Sequence, residues 1–349
     1  TNPNNVSIVT GVPPSIHGIC GNYFFDPLTQ EEVMMNDIKF LRSETIFKKM
    51  LEKNKKVAIV TAKDKLRALL GAGLKIDPKN AICFSAEKAD KTNLIENGIA
   101  NASKWLDIPV PQVYSSKLSE FVLASGLKLM SEWKPDIMYL TTTDFIQHKF
   151  APEDKEALNF YKMLDKYIHK LNSFGATILI TADHGMNSKY NKDGDPNVIF
   201  IQDYLDDWIG TSNSRVILPI TDPYVVHHGS LGSFATIYLE NSNDIQIVFN
   251  KIKKLDEIEF VFTRSEAMKK FNLPFDRIGD LVVISSKNTV IGKNESYHNL
   301  KILKEPLRSH GGISEQKVPF ILNTKFNLPV SENLNNYDAF FYAIAAEEK

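Results

Sequence analysis

The chain has 349 residues, of which 43% are hydrophobic and 24% are charged, so it can bury one large core and leave room for a smaller domain. Its 41 basic and 42 acidic residues nearly cancel, and this balance predicts neither a nucleic-acid partner nor attraction to an anionic membrane. The apolar runs fall short of the roughly 18 residues that a membrane-spanning helix needs.

The first half of the chain alternates predicted strands with predicted helices. Short β-branched runs predict strands at 57–61, 81–84 and 137–141, and apolar residues recur at helical spacing from about 152 to 171. The continuously apolar segment 176–181 predicts a strand that is buried on both faces. This alternation indicates an α/β fold with a mainly parallel sheet and helices on both faces.

From about 197 to 306 the pattern changes, and we predict a smaller α+β insertion. Its predicted elements are strands at 216–218, 235–239 and 280–284 and a helix at 245–255.

The remaining segments return to the pattern of the first half. A last core strand is predicted at 318–322 and a closing helix at 337–346. The predicted domains are therefore a core formed by 1–196 and 307–349 and an inserted cap formed by 197–306.

The compartment is predicted from the cysteines. Cys20 and Cys83 are the only two in the sequence, and neither lies in a C-x-x-C pair, which argues against a disulfide framework and a thiolate zinc site. No basic start followed by an apolar stretch is present, so we expect no signal peptide. We predict a cytoplasmic protein and leave the oligomeric state open, a homodimer included.

Asp183 and His184 directly follow the predicted strand 176–181. Ligands of open α/β sheets gather at the carboxyl ends of strands, and an adjacent carboxylate and imidazole both suit zinc. The alternative interpretation is a turn in which Asp183 caps a helix and His184 is merely polar.

Two weaker patterns lie elsewhere. Asp144 and His148 follow the predicted strand 137–141, and their i, i+4 spacing places both on one face of a helix that begins near Asp144. The alternative is a helix cap with a solvated histidine. His310 stands before Gly311 and Gly312, which allow the backbone to approach a ligand closely.

Together these five residues supply oxygen and nitrogen ligands for two metal ions. Zinc suits the set best, with Mn²⁺ or Fe²⁺ as substitutes. Two divalent ions about 3.5–4 Å apart can clamp an in-line displacement at phosphorus. The sequence therefore predicts a two-metal hydrolase with Asp144, His148, Asp183, His184 and His310 as ligands.

The opening segment contains the most specific pattern. It reads T-N-P-N-N-V-S-I-V-T-G from Thr1 and continues to P-S-I-H-G-I at 14–19. With the D-x-x-x-H, D-H-G and late H-G motifs, it resembles the nucleotide pyrophosphatase/phosphodiesterase branch of the alkaline phosphatase superfamily. The segments 1–5, 61–66 and 221–229 resemble the phosphonoacetate hydrolase subfamily in particular. The resemblance implies an alkaline phosphatase-like core with a cap.

The resemblance also implies residue roles. Thr1 would attack phosphorus, become transiently phosphorylated and ligate zinc, and Asn22 would donate its amide to a phosphoryl oxygen. One zinc ion would be held by Asp144, His148 and His310, and the other by Asp183 and His184 beside Thr1.

Members of this branch also use an aspartate at the end of a strand upstream of the threonine. The chain begins at the threonine, without a methionine. We therefore expect it to be a fragment that lacks this strand and ligand.

The expected reaction is hydrolysis of the C–P bond of phosphonoacetate to phosphate and acetate. Charge that spreads onto the carboxylate calls for cations. Lys63 and Lys65 would point to the same side if the chain stays extended there, and Arg215 would add a planar fork. Ordinary surface charges are the alternative for these residues, and His227 and His228 are interpreted as pocket or structural residues.

Other functions stay open at this stage. A nucleotide or phospholipid phosphodiesterase would need an aromatic slot, which 21 Phe and 12 Tyr do not exclude. A manganese-dependent phosphomutase and a metal-stabilised phosphonate-binding protein without turnover are further alternatives. A sulfatase is disfavoured because residues 1–5 contain no arginine.

Overall fold

A computed structural model describes residues 1–220, 231–303, 306–325, 331 and 334–347. Within these residues we find no helix with both the length and the apolar character needed to cross a bilayer. The α-helices in this part of the chain are α1 (Asn2–Thr10), α2 (Pro14–His17), α3 (Ile46–Glu52), α4 (Asp64–Leu70), α5 (Leu94–Asn97), α6 (Ala102–Leu106), α7 (Ser116–Glu132), α8 (Phe145–Lys149), α9 (Lys155–Asn172), α10 (Ile201–Ile209), α11 (Ile245–Ile252), α12 (Arg264–Phe271) and α13 (Ala339–Glu347).

The strands in the same part of the chain are short. They are β1 (Tyr23–Asp26), β2 (Glu31–Met34), β3 (Val57–Thr61), β4 (Ala81–Ser85), β5 (Ile137–Thr141), β6 (Leu179–Thr181), β7 (Asn187–Ser188), β8 (Val198–Phe200), β9 (Ser214–Ile217), β10 (Phe234–Leu239), β11 (Ile258–Thr263), β12 (Leu281–Ser285), β13 (Val290–Gly292), β14 (Arg308–Ser309) and β15 (Phe320–Leu322).

The described residues divide into two compact units. Unit 1 consists of Thr1–Asn4, Pro13–Met35 and Ala182–Val318, and unit 2 of Asn5–Val12, Asn36–Thr181 and Pro319–Lys349. The core and cap domains, with limits at 197 and 306, remain a prediction.

Unit 2 contains a parallel sheet of order β4-β3-β5 among its described residues. Val57 is opposite Ala81 on one side and Ile137 on the other. Each residue of the central strand β3 is buried, as expected for a parallel strand that is covered on both faces. The three predicted strands and the α/β class with a parallel sheet are confirmed.

Helices cover both faces of this sheet, because successive strand side chains point to opposite faces. One face packs against α6 and α7, through Ala58, Val60, Ile82, Phe84, Ala102, Leu118, Phe121 and Val122. The other packs against α1, α3, α4 and α13, through Ile8, Val9, Phe47, Val57, Ile59, Leu66, Leu70 and Phe340. The predicted helix at 152–171 is confirmed as α9.

The predicted buried strand at 176–181 is corrected by the structure. Only β6, at Leu179–Thr181, is extended, and its residues are half-buried. It pairs antiparallel with β15, with Phe320 opposite Thr181. The apolar run therefore did not require burial within a parallel sheet. A strand with these side chains is also found with one antiparallel neighbour and a partly exposed face.

Unit 1 contains an antiparallel sheet of order β11-β12-β10-β9 within its described residues. One face packs against α10 and α11, through Ile201, Leu205, Val216, Ala235, Ile237, Val248, Ile252, Leu281 and Val283. The other packs against α12 through Ala267, Val282 and Ile284. Sequence analysis did not predict β11, where the charged Glu259 interrupts the apolar run.

A glycine pair in unit 2 gives a stability prediction. Gly98 ends α5 with φ of 74°, and a Cβ there would lie 2.4 Å from the carbonyl oxygen of Ala81. Gly175 has a similar φ of 76° but no described atom within 4 Å of such a Cβ. Both alanine substitutions incur backbone strain of about 1–2 kcal/mol, but only Gly98→Ala adds a clash.

We therefore expect Gly98→Ala to lower the free energy of unfolding by about 1–3 kcal/mol more than Gly175→Ala does. Urea denaturation of the two variants measures this difference. Equal losses would show that the close approach of Gly98 to Ala81 does not contribute to stability.

Candidate active site

Asp144 and His148 lie together in unit 2. The strand β5 ends at Thr141, and Asp144 occupies the position before the first residue of α8. The i, i+4 spacing then brings Oδ2 of Asp144 to 3.0 Å from Nε2 of His148. His148 is 5% exposed, so a buried imidazole faces a carboxylate, as the spacing predicts.

Asp183 and His184 form a similar pair in unit 1. They follow the end of β6, where the sequence predicts a ligand-binding turn. Nε2 of His184 lies 3.4 Å from Oδ2 of Asp183. Nδ1 of His184 lies 3.0 Å from the carbonyl oxygen of Gly185, which favours the tautomer in which Nδ1 donates and Nε2 keeps its lone pair for a cation.

Both pairs fit zinc. Two ligand atoms on one tetrahedral zinc ion, each about 2.1 Å from the metal, lie about 3.4 Å apart. The nitrogen–oxygen distances of 3.0 Å and 3.4 Å are close to this value. Each pair can therefore supply two of the ligands of one ion.

His310 lies against His184 in unit 1. The two rings stack with 3.5 Å between their centroids and 8° between their planes. His310 follows β14, which pairs with β7, so that Ser309 is opposite Asn187. This ladder holds the loop that carries Asp183 and His184 beside the loop that carries His310, although His310 is more than a hundred residues away in sequence.

Thr1 lies immediately before α1, and the residue that follows it, Asn2, is hydrogen-bonded to Asn22. The backbone N–H of Asn2 donates to Oδ1 of Asn22 at 2.9 Å, and Nδ2 of Asn2 donates to the carbonyl of Met35 at 3.0 Å. The first bond fixes the orientation of the buried Asn22 amide, since its oxygen is the accepting end. Its Nδ2 end is then the one suited to an anion.

Two further side chains hold the first turn of α1, and sequence analysis assigned neither a role. Nδ1 of His17 accepts from the backbone N–H of Ile19 at 3.1 Å, and the ring also bonds to the backbone of Pro3. Burial lowers the pKa of His17 to about 4, so the ring is neutral at pH 7. Asn4 donates from Nδ2 to the carbonyl of Asp183. The opening motif contained both residues, but gave no signal of these contacts.

The prediction that Lys63 and Lys65 point to the same side required an extended chain, and the chain does not stay extended there. Lys63 is extended, but α4 begins at Asp64 and includes Lys65. Residues two apart at a helix start do not face the same way. The helix starts here because Asp64 is anchored: its Oδ1 accepts from Arg67 at 2.8 Å and from the Ser85 hydroxyl at 2.9 Å.

Arg215 lies in unit 1, where its Nη1 is 3.6 Å from Oε1 of Glu32. Its guanidinium is 4.3 Å from the ring centroid of Phe25. Glu32 therefore already supplies a carboxylate to Arg215. His227 and His228 lie outside the described residues.

Comparison with solved structures gives close matches. The chain is 57% identical to phosphonoacetate hydrolase from Sinorhizobium meliloti 1021, crystallised in complex with phosphonoformate and with phosphonoacetate. Each match has a TM-score of 0.95 and covers 99% of this chain and 84% of the other. The predicted resemblance to phosphonoacetate hydrolase is confirmed.

More distant comparisons agree on the family. The family model for type I phosphodiesterase / nucleotide pyrophosphatase matches residues 1–313. Human bis(5'-adenosyl)-triphosphatase ENPP4 is 24% identical over 315 residues, covering 86% of this chain, and its Pongo abelii counterpart is 26% identical over 200 residues, covering 53%. The matches span 58% and 38% of those relatives' own lengths.

Proposed function

Because the chain belongs to the type I phosphodiesterase / nucleotide pyrophosphatase family, we propose that it is a hydrolase that splits the C–P bond of phosphonoacetate into phosphate and acetate. One observation carries this proposal: the 57% identity, over 99% of the chain, to a hydrolase whose crystal structure holds phosphonoacetate. The core of this enzyme would be 1–196 and 307–349, with 197–306 as its cap.

The proposed cofactors are two zinc ions, for which Mn²⁺ or Fe²⁺ can substitute. The distances within the Asp144–His148 and Asp183–His184 pairs support this assignment. When bound, the ions would act as Lewis acids at the phosphoryl oxygens and favour the ionised form of the attacking hydroxyl. The proposed ligands are Asp144, His148 and His310 for one ion, and Asp183, His184 and Thr1 for the other.

In the proposed reaction the Thr1 hydroxyl gives its proton to solvent and its oxygen attacks phosphorus and forms a P–O bond. The electrons of the C–P bond leave with carbon as the enediolate of acetate. A proton from solvent converts the enediolate to acetate. Water then attacks the phosphothreonine, which releases phosphate and restores the Thr1 hydroxyl. The Nδ2 group of Asn22 would donate to a phosphoryl oxygen and stabilise the negative charge there.

The proposed carboxylate site uses Lys63 and Lys65, with Arg215 as a further cation. The bonds of Asp64 restrain the turn that carries both lysines. This supports a fixed position for each ammonium group, although the two side chains leave the turn in different directions. Asp64 is partly buried, which opposes ionisation, but hydrogen bonds from Lys88 and Arg67 prevail and lower its pKa. The turn therefore keeps its charged anchor at neutral pH.

Replacing Lys65 should lower activity on a substrate that carries a carboxylate more than activity on one that does not. We expect Lys65→Ala to lower kcat/KM for phosphonoacetate by about 10- to 100-fold, the value of one charge-assisted hydrogen bond. An aryl phosphate ester carries no carboxylate, so its hydrolysis should change much less. Lys75→Ala, at an exposed position after α4, is the matched control. Equal losses for both substrates would contradict the carboxylate assignment.

A phosphate-ester hydrolase is the second candidate, favoured by the family model and by the ENPP4 relatives. Inorganic phosphate released from phosphonoacetate and from an aryl phosphate monoester, together with the phenol released from a bis-aryl phosphate diester, distinguishes the two. Fastest release from phosphonoacetate supports the proposal. Turnover of the esters alone favours the second candidate, and zinc-loaded protein that binds phosphonoacetate without turnover would be a binding protein.

A further inference from the structure

Unit 1 buries an ion pair to which the reaction described above assigns no role. Lys189 is 0% exposed and Glu315 is 2% exposed, and Nζ of Lys189 lies 3.2 Å from Oε1 of Glu315. Nζ also donates to the Ser233 hydroxyl at 2.7 Å and to the carbonyl of Lys287 at 2.6 Å. The Lys189 ammonium is therefore fully hydrogen-bonded, with its charge balanced by Glu315.

Glu315 bonds to the two loops that carry the proposed metal ligands. Its backbone carbonyl accepts from the N–H of Gly185 at 2.7 Å, next to His184. Its Oε2 accepts from the N–H of Gly312 at 2.7 Å, two residues after His310. Its Oε1 accepts from Nδ2 of Asn187, in the strand that follows the first loop. One residue thus contacts both loops through its backbone and its carboxylate.

The loops that carry His184 and His310 pack closely against Glu315, so the hydrogen bonds of Glu315 can hold both loops in position. A Cβ on Gly185 would lie 3.2 Å from Cα of Glu315, and a Cβ on Gly312 would lie 2.9 Å from its Oε2. Glycine at both positions lets the loops approach Glu315 without displacing it. The loops held in this way present His184 and His310 as a stacked pair, 3.5 Å between ring centroids.

From these contacts we infer that Glu315 is a positioning residue of the metal centre, and that Lys189 holds its carboxylate in place. This rests on the proposed function, in which His184 and His310 ligate different ions. Glu315 is not one of the proposed ligands. It fixes the separation of the two loops, and with it the separation of the ligands that define the two metal positions.

If the ion pair were purely structural, removing both charges together would leave the zinc affinity of the folded protein unchanged. Replacing a buried pair by neutral residues of similar size is often harmless to stability, whereas removal of one partner is damaging. The informative variant is therefore the double substitution Lys189→Met with Glu315→Met, which removes both charges and the oxygen that accepts from the Gly312 N–H. Glu315→Asp is the second variant, since it keeps the charge facing Lys189 but shortens the reach to the Gly312 N–H.

The measurement is zinc affinity, by competition with a chromophoric chelator, alongside the thermal midpoint of the zinc-free protein. For both variants we expect a zinc-free midpoint close to that of the parent protein and an affinity for at least one zinc ion that is about 10- to 100-fold weaker. Asp280→Asn is the matched control. The Asp280 carboxylate contacts Arg264 at 2.9 Å and accepts from the backbone N–H of Leu239 in the same unit, so its loss should leave zinc affinity unchanged.

The outcomes are distinct. Parent-like zinc affinity in the Glu315→Asp variant overturns the inference, and so does parent-like affinity in a folded double variant. Should the double variant fail to fold, the Glu315→Asp affinity decides alone. Two zinc ions bound by the unsubstituted protein, without phosphate release from phosphonoacetate, would overturn the proposed function while the zinc affinities still test the role of Glu315.

Discussion

Thr1→Ala should reduce phosphate release from phosphonoacetate by at least about a thousandfold, as expected when a nucleophile is removed. The substitution deletes the hydroxyl that would form the P–O bond. It leaves the Asp144–His148 and Asp183–His184 pairs intact. Because a hydroxyl is a weaker zinc ligand than the carboxylate and imidazole that remain at its site, zinc content should stay at the parent value. The measurement is steady-state phosphate release together with zinc content by elemental analysis.

Two matched variants separate the nucleophile from a general effect on α1. Thr1→Ser keeps a hydroxyl and should retain measurable turnover. Thr10→Ala removes a hydroxyl from the other end of α1, where it bonds to the carbonyls of Val6 at 2.7 Å and Ser7 at 3.5 Å within the same helix. It should leave the rate unchanged. Rapid acid quenching should also reveal one phosphoryl group on Thr1 by mass spectrometry. Parent-like turnover by Thr1→Ala would remove the covalent mechanism.

The parts of the fold that depend on local pattern were predictable from the sequence. The strands β3 and β5 are short apolar runs bounded by polar residues, and α9 carries apolar residues at helical spacing. Each of these patterns is complete within one segment. The predicted helix start at Asp144 is likewise confirmed, because the spacing of Asp144 and His148 needs only a single helical turn.

The predictions that were wrong concern segments whose conformation depends on residues far away in the sequence. The direction of β6 is set by β15, about 140 residues later, and no periodicity within 176–181 encodes that pairing. The conformation at Lys65 depends on Asp64, whose carboxylate is held by Ser85 from the next strand. Each segment showed its own apolar or charged residues, but the distant partner that sets its conformation was not visible in the sequence.

The residues of the candidate site likewise include some that the sequence predicts and some that it does not. Asp183 and His184 were predicted because their residue types are metal ligands and they follow a strand. Glu315 and Lys189 were not, since a buried carboxylate and ammonium look like surface charges in a sequence. Only the contacts with Gly185 and Gly312 distinguish Glu315. Residues that position a site thus carry weaker sequence signals than residues that form it.

Removal of one proposed ligand from each metal site should give two different partial losses. We expect His148→Ala and His184→Ala each to retain about one of two zinc ions per chain, because each imidazole belongs to a separate proposed site. Each variant should lose at least about a hundredfold in kcat, since the charge stabilisation supplied by a bound metal is worth several kcal/mol. Zinc content after gel filtration and phosphate release measure the two effects.

The control and the combination of variants decide whether two sites exist. His169→Ala changes an exposed histidine on α9 and should alter neither zinc content nor rate. The double variant of His148 and His184 should lose both ions, so its zinc content should be lower than that of either single variant. With a single shared site, the double variant would lose no more zinc than either single variant does. If each single variant already lost all its zinc, the two pairs would hold one ion between them. If each kept two, the imidazoles would not be ligands, and the bimetallic assignment would fail.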